Sequence, residues 1–98
     1  MRCVFSTLAD FDLEEIADYI ACDNPRRALS FVAEIRDRCQ KIVDFPEAVP
    51  LRPQFGQGIR IVPFGRYLIF YIVQPGEIRI ERVLPGSRNL LDFFDQGD

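Results

Sequence analysis

Tyr67-Leu68-Ile69-Phe70-Tyr71-Ile72-Val73-Gln74, then Pro75-Gly76, then Glu77-Ile78-Arg79-Ile80-Glu81-Arg82-Val83-Leu84 is the stretch that decides the fold. The first run has no polar alternation, so a strand built from it carries apolar side chains on both faces and both must be covered. The second run alternates from Ile78 to Arg82, and Pro75-Gly76 between them reads as a hairpin turn. A proline followed by glycine suits a type I or II turn better than the primed turns hairpins prefer. Alternation predicts that Ile78, Ile80 and Arg82 share one face, with Arg82 reaching out from the core or paired at its edge, and that Arg79 and Glu81 lie on the other.

Working back from the hairpin, Ile59 to Pro63 reads as a strand and Gly65-Arg66 as a turn. Before them Pro46, Pro50, Pro53, Gly56 and Gly58 mark a long loop, since these residues neither continue a helix nor sit inside a sheet. Phe45-Pro46 ends a helix in which Ala28, Val32, Ile35, Cys39 and Ile42 form one apolar seam. Asn24 caps its start, with Pro25 at the first helical position. A preceding helix repeats Leu13, Ile16, Ala17 and Ile20 on one face, with Glu14, Glu15 and Asp18 off that stripe. Two helices so close in sequence predict an antiparallel hairpin. Cys3 to Thr7 reads as a short first strand, and Thr7 with Asp10 as a helix-starting capping box. At the far end Ser87 or Asn89 is placed to cap a last short helix carrying Leu90, Leu91, Phe93 and Phe94. The expected fold is therefore α+β: an N-terminal strand, a helical hairpin packed on a small antiparallel sheet, and a short C-terminal helix.

At 98 residues with 48% hydrophobic and 28% charged content, the chain is expected to form one domain over residues 1–98, with a thin core to which a partner contributes. No apolar run approaches a membrane span, and the first residues lack a signal-peptide pattern, so a cytoplasmic location is expected. The chain has no histidine, which removes serine and cysteine triads and histidine-based metal sites. Cys3, Cys22 and Cys39 are widely spaced and read as reduced, mostly buried thiols. Neither a metal nor a cofactor is expected.

The net charge of −3 argues against a general polyanion binder, yet the charge is uneven. Residues 1–50 hold six basic and ten acidic side chains, whereas Leu51 to Leu91 hold Arg52, Arg60, Arg66, Arg79, Arg82 and Arg88 against only Glu77 and Glu81; Asp92, Asp95 and Asp98 follow. Eleven of the twelve basic residues are arginine, which favours planar, bidentate contacts. A sided surface of this kind suits a shaped partner. Arg60, Arg66, Arg79, Arg82 and Arg88, with Phe93 and Phe94 near the chain end, are the candidate target- or partner-binding residues, and no catalytic residue is assigned.

Asp12-Leu13-Glu14-Glu15-Ile16-Ala17-Asp18-Tyr19-Ile20-Ala21, Asn24-Pro25 with Ala28 and Phe31, Gly58-Ile59-Arg60, Gly65-Arg66-Tyr67-Leu68-Ile69-Phe70-Tyr71 and Arg82-Val83-Leu84-Pro85-Gly86-Ser87-Arg88-Asn89-Leu90 together resemble the ParE toxins of the RelE/ParE superfamily of bacterial toxin-antitoxin modules. One departure is visible: the family usually has histidine and alanine where Pro85 and Ser87 stand. The resemblance implies a toxin of a type II module that inhibits DNA gyrase by binding it. A cognate antitoxin, most commonly a ribbon-helix-helix DNA-binding protein, would wrap and neutralise it. No membrane association and no direct sequence-specific nucleic-acid binding are expected of the toxin. Two alternatives stand beside this reading: a RelE-like, ribosome-dependent mRNA endonuclease, and a decayed toxin that only binds antitoxin. RNA cleavage in RelE relatives draws on lysines, arginines and a C-terminal tyrosine. Here Lys41 is the only lysine and Phe93 and Phe94 carry no hydroxyl, so a recognition surface is favoured over an active site.

Overall fold

In a computed structural model the structure describes residues 1–87. Strand β1 (Arg2–Phe5) leads into helix α1 (Thr7–Ala21), which turns back into helix α2 (Pro25–Ile42). A loop containing one 3-10 turn, Pro53–Phe55, then delivers strands β2 (Arg60–Phe64), β3 (Tyr67–Gln74) and β4 (Glu77–Pro85). The expected C-terminal helix, with Arg88, Phe93 and Phe94, lies outside the described residues.

The helix boundaries follow from local chemistry. Asn24 is extended (φ −148°) and its side chain accepts a hydrogen bond from the Arg27 amide, with Pro25 in the first turn of α2, as its sequence predicts. The N-cap of α1 is Ser6 rather than Thr7: its Oγ accepts from the Ala9 amide at 3.0 Å. The shift arises because β1 ends at Phe5, two residues earlier than expected. The same Ser6 hydroxyl donates to the Glu81 carbonyl at 2.8 Å, so one side chain both starts the helix and ties it to the sheet.

The sheet order is β1-β4-β3-β2. β2, β3 and β4 are antiparallel neighbours, but β1 lies parallel to β4, Arg2 opposite Glu77 and Phe5 opposite Ile80. The sheet is therefore mixed, not wholly antiparallel. The helical hairpin acts as a crossover that brings the chain back so that first and last strands run the same way. Gly65 and Gly76 take φ of +58° and +75° in the two hairpin turns, values that glycine reaches without steric cost.

The two-sided burial expected of Tyr67 to Val73 is present. On the helical side Ile69 and Tyr71 join Leu13, Ile16, Ile35, Cys39, Ile78, Ile80 and Val83. On the other face Phe70 joins Ile59, Ile61 and Leu84, with Phe55 packed edge-on to the Phe70 ring at 5.5 Å. The long loop thus supplies cover for the second face. It is fastened by the Arg52 amide donating to the Ile59 carbonyl at 2.7 Å, by Tyr71 Oη donating to the Pro46 carbonyl at 2.7 Å, and by Arg60 donating to the Val49 carbonyl. Of the three thiols, Cys39 is buried and Cys3 half-buried, but Cys22, the residue after the last turn of α1, is exposed.

One irregularity changes the face of Arg82. Phe70 pairs with Arg82 while the next residue, Tyr71, pairs with Ile80, so Glu81 is the extra residue of a β-bulge. The bulge resets the alternation, and Val83, not Arg82, continues the core face of Ile78 and Ile80. Arg79 and Glu81 remain together and form an ion pair at 2.8 Å.

Candidate functional site: a cleft between the first helix and the end of the sheet

β1 covers β4 only as far as Ile80, which exposes the rest of that strand's outer edge. Two side chains of the adjoining segment close it. Ser6 takes the Glu81 carbonyl as described, and Asp12, six residues further along α1, takes the Val83 amide at 2.9 Å. The same Asp12 carboxylate receives a two-pronged contact from Arg82, Nε at 2.8 Å and Nη2 at 2.9 Å. Asp12 is 7% exposed and is the only charged residue buried among the described residues. A buried carboxylate is tolerated when its oxygens are saturated by donors, and three donors meet this one. The contact holds the Arg82 guanidinium firmly protonated: the hydrogen bonds it donates to Asp12 raise its pKa further, burial opposes, and the charges of Asp12 and Glu15 add.

Beside this pair opens a cleft of about 800 Å³. Ile16, Tyr67, Val83, Leu84 and Pro85 give it an apolar lining, while Glu15 and Tyr19 of α1, and Arg66 of the β2–β3 turn, supply polar groups. The Gly86 amide donates to the Arg66 carbonyl at 2.9 Å, fixing that turn against the end of β4. Tyr67 is steadied from behind by Phe31, ring centroids 5.6 Å apart.

The expected site residues are distributed unevenly around this cleft. Arg66 and Arg82 are brought together in it. Arg60 is not: it lies on β2, committed to the Val49 carbonyl and, at 3.6 Å, to Glu47. Arg79 sits on β4 in its pair with Glu81. Arg88, Phe93 and Phe94 fall outside the described residues. Asp12, Glu15 and Tyr19 line the cleft without having been singled out from sequence. The signal for Asp12 was present: it lies three residues after Ala9 and four before Ile16, inside the apolar stripe of its helix, where a carboxylate implies a buried partner.

Chemically the cleft combines an apolar lining with a committed acid–base pair, and Glu15, Tyr19 and Tyr67 are the other ionisable side chains that line it beside Arg66. Its innermost acid and base are spent on each other and on the backbone. Tyr71, whose phenol is pushed above its ordinary pKa chiefly by burial, points away to Pro46. Lys41 pairs with Asp37 on α2 at 3.2 Å, in another part of the molecule. No group of three or more potential metal ligands occurs among the described residues, and none of the described helices is long and apolar enough to cross a membrane.

Comparison with known proteins adds two findings. A family model described as the ParE toxin of type II toxin-antitoxin system, parDE, matches residues 3–90. Among solved structures, the chain is similar to one described as the chromosomal ParDE TA system from P. aeruginosa, with a TM-score of 0.74 and 24% identity over 87% of this chain and 95% of that one. At that identity the likeness is one of fold. No curated protein matches.

Proposed function

The chain belongs to the ParE toxin family of type II toxin-antitoxin systems, and from that premise we propose that it acts by binding and blocking DNA gyrase, without catalysis, until a cognate antitoxin neutralises it. Membership of the toxin half of a two-component module carries an antitoxin partner with it; the ribbon-helix-helix class is the one we propose. The observation that carries the non-catalytic reading is the closed Asp12–Arg82–Val83 arrangement. A nuclease of the RelE kind needs a cation held ready for the scissile phosphate and an acid-base group beside it. Here Arg82 is forked onto the Asp12 carboxylate, which also takes the Val83 amide.

Within this reading Arg66, exposed at the cleft, and Arg79 are proposed as direct contacts, with Arg88, Phe93 and Phe94 as contacts from the chain end. Arg60 and Arg82 shape the surface from behind, through the loop and through Asp12. The proposal is tested by adding purified toxin to gyrase and relaxed plasmid. Supercoiling should stop, and it should resume when antitoxin is supplied first. Uninhibited supercoiling together with cut message in a translating extract would replace the proposal with the nuclease alternative. Harmless expression without antitoxin would leave only the antitoxin-binding role.

A further inference from the structure

The two outer edges of the sheet differ. β2 ends the sheet on one side, and its edge is guarded: Leu51 bridges Arg60, the Arg52 amide donates to the Ile59 carbonyl, and Pro63 has no amide to offer. β1 ends it on the other side without such a guard. The Arg2 amide donates to the Gly76 carbonyl and the Ser6 amide to the Ile80 carbonyl, both toward β4. With a strand period of two, the amides and carbonyls of Cys3 and Phe5 point the other way, out of the sheet. Among the described residues these backbone groups have no hydrogen-bond partner.

The side chains of this edge do not repel a neighbour. Cys3 and Phe5 turn to the helical side, where both pack against the core and the Arg36 guanidinium lies 4.8 Å from the Phe5 ring. Arg2 and Val4, opposite Glu77 and Arg79, face the other side, and Val4 is half-buried. Charges there are matched: Arg2 meets Glu77 at 3.3 Å and Arg79 meets Glu81 at 2.8 Å. Arg2, at the start of β1, is the one charged side chain of that strand. Glu81 stands beside Ser6 just past its end, its carbonyl accepting from the Ser6 hydroxyl.

We propose that the outer edge of β1 is a self-association edge, on which β1 of a second copy of this chain docks antiparallel about a two-fold axis at Val4. In that register Cys3 of each strand lies opposite Phe5 of the other, and each such pair exchanges both of its hydrogen bonds, which uses every outward amide and carbonyl of both strands. Val4 falls opposite itself in a pair without hydrogen bonds, where side chains are closest and β-branched residues pack well. Arg2 of each copy falls opposite Ser6 of the other, within reach of that copy's Glu81, so opposite charges meet at both ends and like charges face each other nowhere. This match of length, donors and charge selects a second β1 over an unrelated strand. A four-residue edge is small, so the pairing is weak and belongs to the free chain at high concentration, whatever the toxin blocks.

The test follows the free, full chain from micromolar to millimolar concentration by sedimentation equilibrium and by amide hydrogen exchange. A monomer–dimer equilibrium should appear, and exchange at the Cys3 and Phe5 amides should slow as dimer forms, while exchange in the β2–β3 turn at the opposite edge stays the same. Val4→Lys and Val4→Glu, on the face away from the helices, should each keep the native circular dichroism and weaken the dimer about ten-fold, because like charges then face across the axis. Mixed in equal amounts, the two variants should pair at close to the native strength, a recovery that a merely damaged fold does not give. A chain that stays monomeric to millimolar concentration, with exchange at residues 3 and 5 independent of concentration, would overturn the proposal. So would a dimer that both Val4 variants leave intact, which places the contact elsewhere. Protection of Cys3 and Phe5 only when antitoxin is added would assign the edge to a strand of that partner and equally overturn it.

Discussion

Replacing Asp12 with alanine removes three hydrogen bonds at one buried position: two from the Arg82 guanidinium and one from the Val83 amide. An orphaned buried amide costs about 1–3 kcal/mol, and removing one member of a buried ion pair costs about 3–5 kcal/mol. These terms overlap. The Arg82 side chain is 16% exposed and borders the cleft, so water can approach the guanidinium, and the lower end applies. We expect a loss of about 3 kcal/mol in urea unfolding, with an unchanged m-value, and a fall in Tm of about 15 °C. Asp12→Asn keeps one oxygen for the Val83 amide but turns away the charge that Arg82 meets, so it should cost about 2 kcal/mol. Combined with Arg82→Ala, the double-mutant cycle should return a coupling of about 2 kcal/mol. A loss below about 1 kcal/mol for Asp12→Ala, or no coupling, would refute the reading of this pair as the clasp joining α1 to β4.

Ser6→Ala should cost about 1–2 kcal/mol, more than an isolated cap, because the hydroxyl also donates to the Glu81 carbonyl; chemical denaturation measures it. Tyr71→Phe removes the contact to Pro46 and should cost about 1 kcal/mol while speeding amide exchange in the loop over 46–58. In the native protein a thiol reagent should modify Cys22 at once, Cys3 slowly and Cys39 only on unfolding. The Cys39 thiol is pushed up to about 12 from 9.0, first by burial and then by neighbouring Cys3. A raised folded-state value means that below pH 9 both states keep the proton, whereas between 9 and 12 only the unfolded chain releases it. The stabilisation is therefore intact below pH 9 and lost as pH rises toward 12, which thermal melts across that window should show as a falling Tm.

The parts of the fold that were legible in the chain are those governed by local chemistry. Asn24-Pro25 marks the break between the helices because one residue caps and the other starts a helix without needing its amide. The run from Tyr67 to Val73 announces a strand buried on both faces because no polar side chain interrupts it, and Pro75-Gly76 places its turn. What the chain did not disclose depends on contacts distant in sequence. The direction of β1 is set by its docking beside β4, about seventy-five residues away, and a four-residue strand carries no mark of it. The bulge at Glu81 is invisible to an alternation count, yet it decides that Val83 enters the core and Arg82 turns to Asp12. The candidate site was half legible: the arginines stood out as a group, but Asp12, which decides what Arg82 is able to do, was hidden among the other acidic residues of its helix.

A mode of action by occupancy is tested most directly by titrating the toxin against a fixed amount of gyrase and measuring supercoiling. Inhibition should rise in proportion to toxin and saturate near an equal number of molecules, with no RNA cut at any point in the titration. Loss of message at toxin levels far below those of its target, with gyrase still supercoiling, would mean that the protein turns over a substrate and would contradict a binding toxin.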